Sequence, residues 1–168
     1  RPGNESTGLT RTHENTSWDD GDITATVLDF DNDGLIDVYI GSTDYPGTKG
    51  LLYHQDLEGT FSLVPDDGFL HARSHGVAVA DFDNDGDVDM VIGHSSGRCD
   101  DDCPETFNAR FYENQTENSN FIQLRLEGTG GSNVAAIGAR VTVETESGIQ
   151  VQDVGGGYGH YGAQNDLL

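Results

Sequence analysis

The pattern D-x-D-x-D-G-x-x-D is written twice in the chain, as DFDNDGLID at residues 29–37 and as DFDNDGDVD at residues 81–89. The repetition reaches beyond the loop, because TATVLDFDNDGLIDVYIG (24–41) aligns without a gap with GVAVADFDNDGDVDMVIG (76–93). A unit repeated at a fixed offset builds the same supersecondary structure twice, and this one reads as strand, tight acidic loop, strand. Farther on, LLYHQ (51–55) answers RFYEN (110–114), now seven residues out of step. The extra residues fall in HSSGRCDDDCPETFNA (94–109), a loop, which is where a repeated β unit accepts an insertion.

Short β-branched or aromatic runs bounded by Gly, Asp or Asn predict strands over 23–29, 37–41, 51–55, 60–64, 76–81, 89–93, 110–114, 121–127, 139–145 and 149–154. No long window carries a helical stripe, so the expected fold class is all-β. At 168 residues the chain has room for one domain or two small ones around a real core.

In each acidic loop the side chains of positions one, three and five converge as the backbone curls, and the sixth-position glycine permits the sharp turn. The seventh residue then offers a carbonyl and the ninth a closing carboxylate. The candidate ligands are Asp29, Asp31, Asp33, the Leu35 carbonyl and Asp37 in the first loop, and Asp81, Asp83, Asp85, the Asp87 carbonyl and Asp89 in the second. An all-oxygen shell rich in carboxylates suits calcium, which takes six to eight ligands, better than strictly octahedral magnesium. Two calcium ions are therefore expected. Strands flank the loops and the last carboxylate stands at position nine, so neither is an EF-hand. The rival reading, an acidic surface turn in an acidic protein, has a chance expectation of roughly 0.005 per chain for one such match.

Thirty acidic residues against eight basic ones give a formal charge of -22, which argues against nucleic acid and anionic membrane surfaces as partners. The same bias fits cation binding or a saline habitat. No apolar stretch approaches the roughly 20 residues that span a bilayer, so no membrane insertion is expected. The opening RPGNESTGL has neither a start Met nor a signal-peptide core and reads as the beginning of a mature or excised piece. Cys99 and Cys103 in CDDDC suit a small local disulfide in an oxidising compartment, with free thiols as the alternative. Sequons at Asn4, Asn15 and Asn114 fit a secreted, glycosylated protein, although such triplets also arise by chance.

GVAVADFDNDGDVDMVIG resembles the FG-GAP/VCBS repeat of integrin-like β-propellers. The tail NFIQLRLEGTGGSNVAAIGARVTVETESGIQVQDVGGGYGHYGAQNDLL resembles the ASPIC/UnbV domain through IGARVTV and a Gly-Tyr-Gly segment leading to a Gln. The pairing is similar to that of the cartilage acidic protein family, which is secreted. The resemblance implies an N-terminal segment (1–20), two propeller-type blades (21–66 and 67–118) and a truncated ASPIC/UnbV-like β domain (119–168). A closed propeller needs four to eight blades, so the resemblance also implies completion by further blades or by other copies of the chain.

The remaining motifs carry less. GHSSG (93–97) matches the nucleophile elbow, but RCDDDCPE cannot supply the helix that an elbow opens, so Ser95 is not expected to be catalytic. GYGHYG (157–162) matches a dinucleotide fingerprint without its strand–helix unit. His71 and His75 read as ordinary polar residues, Trp18 as a core anchor, and Asp100, Asp101 and Asp102 as a solvated loop. The expected function is that of a non-catalytic extracellular calcium-binding repeat protein with a role in adhesion, matrix building or self-assembly. The alternative is a glycan- or ligand-binding module with Tyr158, His160 and Tyr161 as an aromatic contact surface.

Overall fold

The computed structural model describes residues 3–11, 21–43, 45, 48–65, 73–95, 109–116, 121–146, 148–155 and 162–164. They are nearly all β. The first repeat forms a four-stranded antiparallel sheet in chain order from β1 (Asp22–Leu28), β2 (Asp37–Ser42), β3 (Leu51–Gln55) and β4 (Phe61–Leu63). The second repeat contributes β5 (Ser74–Ala80), β6 (Asp89–His94) and β7 (Arg110–Tyr112) to a second sheet. A late strand, β10 (Gly162–Gln164), joins that sheet parallel to β5. Between these lies a separate two-stranded ladder of β8 (Arg140–Thr145) and β9 (Gly148–Asp153).

The ladders repeat in register as the sequence alignment requires. Leu28 faces Asp37 and Asp22 faces Ser42 in the first unit, whereas Ala80 faces Asp89 and Ser74 faces His94 in the second. Even the bulge recurs, after Asp22 and after Ser74. The third strand carries the later offset, since Val38 pairs with Tyr53 and Met90 with Tyr112.

The core lies between the two sheets. Thr26 and Leu28, then Tyr39, point inward from the first sheet, and Val77, Val79, Met90 and Ile92 from the second. That alternation is what a pleated strand with one buried face demands. Cross-strand neighbours Val77–Ile92 and Val79–Met90 stack on the inner face of the second sheet. Tyr39 is fully buried, and its hydroxyl donates to Ser74 Oγ at 2.8 Å, joining the sheets through a polar contact inside the apolar cluster. Close approach of the sheets needs Gly41, where a Cβ would crowd the Ser74 and His75 carbonyls at 3.2 and 3.3 Å.

One expectation needs correction, and two elements were not anticipated. Residues 121–127 alternate like a strand but form none, because no neighbouring strand pairs with them among the described residues. Among the described residues there is also one helical turn, α1 (Asn4–Thr7), closed by Gly8 at φ 80°. Its short segment docks on the first sheet: Tyr53 donates to the Thr10 carbonyl at 2.8 Å, and Arg11 pairs with Asp22 at 2.6 Å. Finally, β10 was not expected, since GAQ carries no strand signal of its own and takes its conformation from the β5 edge.

Candidate metal centre

Each acidic loop connects the first two strands of its sheet, β1 to β2 and β5 to β6. The backbone takes a left-handed turn at the fourth and sixth positions, with φ 58° at Asn32 and 88° at Gly34, and φ 64° at Asn84 and 97° at Gly86. Asparagine and glycine are the residues that accept such angles at least cost, which explains both choices. The first aspartate then folds over the turn. Asp29 accepts from the Asp33 N–H at 3.1 Å and the Gly34 N–H at 2.9 Å, and Asp81 accepts from Asp85 at 3.2 Å and Gly86 at 3.1 Å. Asp33 and Asp85 each accept from the residue two positions on, at 2.8 and 2.9 Å.

The loops bring together Asp29, Asp31 and Asp37 in one group, and Asp81, Asp83 and Asp85 in another, with ligand-capable oxygens within 4.8 Å of one another in each. Asp31 Oδ1 is buried without a hydrogen-bond partner. An orphaned carboxylate oxygen among like charges is costly unless a cation completes it. The donor set is therefore suited to holding a hard divalent ion. Asp33 stands instead with Asp31 and His54, in a third group. The Asp87 side chain, 3% exposed, accepts from Asn32 Nδ2 at 2.6 Å.

The ninth-position aspartates have a further duty. Asp37, 0% exposed, accepts from the Phe30 N–H at 3.0 Å and the Gln55 N–H at 2.8 Å, one bond to each oxygen. Asp89, 1% exposed, repeats this with Phe82 at 2.9 Å and Asn114 at 2.8 Å. Asp37 thus ties its loop to β3, and Asp89 ties its loop to the residues just beyond β7. Asp89 falls outside the group formed by Asp81, Asp83 and Asp85, whereas Asp37 keeps a place beside Asp29 and Asp31.

The two loops also touch. Asn32 of the first donates to Asp87 of the second, while Asn114 Nδ2 donates to the Phe30 carbonyl at 2.6 Å and the Val88 carbonyl at 3.3 Å. Thr116 Oγ1 adds a bond to Asn114 Oδ1 at 2.9 Å. The amide that the sequon would offer to a glycan is engaged between the loops. From the C-terminal segment, the Gln150 side chain lies on Gly34 and the Phe121 ring on Gly86, so a methyl group at either glycine would collide with its cover.

Burial and the neighbouring carboxylates push the Asp29 carboxyl up to about 6, and burial raises Asp37 in the same direction. A carboxyl raised in the fold favours the folded state when protonated, so its contribution is fully present below the unfolded value near 4 and is lost as pH rises through about 6. Cation-free protein is expected to lose roughly 2 kcal/mol across that interval, the full two-unit shift of about 3 being screened by partial exposure. Melting curves of metal-stripped protein at several pH values check this: the slope should flatten in Asp29→Asn and under saturating calcium, and an equal slope in all three would contradict it.

Asn32, Asn84, His54, Asn114, Phe121 and Gln150 were not singled out as parts of the loops by sequence reasoning. For the two loop asparagines the signal was present, as the same residue type at the fourth position of both repeats. Cys99 and Cys103, Asn15, Trp18, His71, Asp100 to Asp102 and the Tyr158, His160 and Tyr161 cluster lie outside the described residues. His75 lies on β5, half-buried, with its carbonyl accepting from Thr24 at 3.3 Å.

A search of curated proteins returns no match to the chain. The family model described as an FG-GAP-like repeat matches residues 8–92, a span that holds both acidic loops, β1, β2 and β5, and the first part of β6. A match over half of the chain, on two sheets that share one register and one loop geometry, places this protein in the FG-GAP-like repeat family.

Proposed function

We propose that the chain is a non-catalytic extracellular repeat protein whose two acidic loops each hold a structural calcium ion, and that it serves adhesion or ordered assembly. The observation that supports this most is the pair of matching loops, with left-handed fourth and sixth positions and clustered carboxylates in both. Asp29, Asp31, Asp33 and Asp37 would hold one ion and Asp81, Asp83, Asp85 and Asp89 the other, assisted by the Leu35 and Asp87 carbonyls. The ion supplies counter-charge that lets the carboxylates stay ionised at close quarters.

The proposed setting follows from the family, whose repeats occur in extracellular and cell-surface proteins, and no helix among the described residues is long and apolar enough to cross a membrane. The likeness of residues 119–168 to the ASPIC/UnbV domain rests on the sequence resemblance alone, since the family match ends at residue 92. An assembly role draws support from β7, whose outer edge pairs with no strand among the described residues, and from Phe82 and Phe111, about half exposed and packed edge to face at 5.6 Å. Isothermal titration of metal-stripped protein should give two calcium ions per chain. Asp31→Asn and Asp83→Asn should each reduce this to one, and heat unchanged by both substitutions would refute the reading.

A further inference from the structure

The two loops are not chemically equal. On β3, His54 directs Nε2 at the first loop, 3.2 Å from Asp31 Oδ2 and 3.4 Å from Asp33 Oδ2, and the three side chains converge within 4.8 Å. Its ring is set by an edge-on contact with Phe30, centroids 6.0 Å apart at 79°. The corresponding position of the second repeat, one residue before Asn114 on the aligned segment, is Glu113. The first loop therefore adds an imidazole nitrogen to its carboxylates, while the second remains all oxygen among the described residues.

Nitrogen donors change the preferred ion. Calcium gains little from imidazole, whereas zinc binds tetrahedral sets of histidine and carboxylate at close range, and affinity for such mixed sets rises across the first-row divalent metals. Asp31 has the capacity for it, since Oδ2 faces His54 while the buried Oδ1 has no partner. We propose that Asp31, Asp33 and His54 form a site for a zinc-class divalent ion, so that the first loop exchanges calcium for zinc and the second does not. Because Asp31 and Asp33 are shared with the calcium cage, the two ions compete. The inference rests on the reading of the first loop as a cation site.

The test is zinc titration of the full chain by calorimetry, without and with calcium, for the native protein, His54→Gln and Asp85→Asn. The native protein and Asp85→Asn should each bind one zinc that calcium displaces, and His54→Gln should lose 10-fold or more in zinc affinity while still taking up two calcium ions. In 15N-imidazole spectra the His54 Nε2 resonance should take the position of a metal-bound nitrogen on adding zinc and not on adding calcium. Zinc affinity unchanged in His54→Gln, or a His54 resonance indifferent to zinc, overturns the proposal even where calcium binds both loops. Absence of calcium from both loops with zinc still lost in His54→Gln would instead sink the calcium reading and leave the zinc site standing.

Discussion

Stripping divalent ions with EDTA is expected to lower the melting temperature by about 10–20 °C. If each loop binds calcium with a dissociation constant near ~0.1 mM and sees ~10 mM of the ion, binding adds about 2.7 kcal/mol per site. Two sites give about 5 kcal/mol, and 1 kcal/mol moves the melting point of a chain this size by about 2–4 °C. The loss should be large because the ion's removal leaves Asp29, Asp31 and Asp37 converging without counter-charge, one oxygen of Asp31 being buried and unpartnered. Tethering through Asn32 and Asn114 means that a disordered first loop also withdraws support from the second. Differential scanning calorimetry with calcium and with EDTA measures the effect; a shift of under a few degrees would contradict a structural ion at either loop.

Asp89→Ala is expected to cost about 3–5 kcal/mol whether or not calcium is present. The carboxylate is 1% exposed and accepts two backbone N–H groups, Phe82 from its own loop and Asn114 just beyond β7. Hydrogen bonds to a charged acceptor are worth about 1.5–3 kcal/mol each, and removal strands two donors inside the fold. Asp89→Asn keeps one acceptor oxygen and should recover part of the loss. Denaturant titrations of both variants in EDTA isolate this contribution from the ion. A cost that vanishes in EDTA would mean that Asp89 acts through the cation alone.

The strand pattern, the repeat and the later offset were legible because β-branched alternation and glycine-bearing turns are local signals. Both loops take the backbone that their asparagine and glycine positions imply, with Asn32 and Asn84 near φ 60°. Partnership was less legible. The segment 121–127 alternates as well as β8 does, yet pairs with nothing described, and β10 pairs although its sequence is silent. Strand formation depends on an available edge, which single-sequence periodicity does not contain. The same limit hid His54 and Asn114, which reach the loops only because β3 and β7 pair beside β2 and β6. It also concealed that Asp37 and Asp89 bind the backbone with both oxygens, a role that the ligand pattern alone does not suggest.

Calcium-specific anomalous scattering from crystals grown with calcium tests the central claim most directly. Two peaks are expected per chain, one about 2.3–2.6 Å from the oxygens of Asp29, Asp31 and Asp37 and one at that range from Asp81, Asp83 and Asp85. Peaks confined to other surface carboxylates, or no peak at either loop, would contradict it.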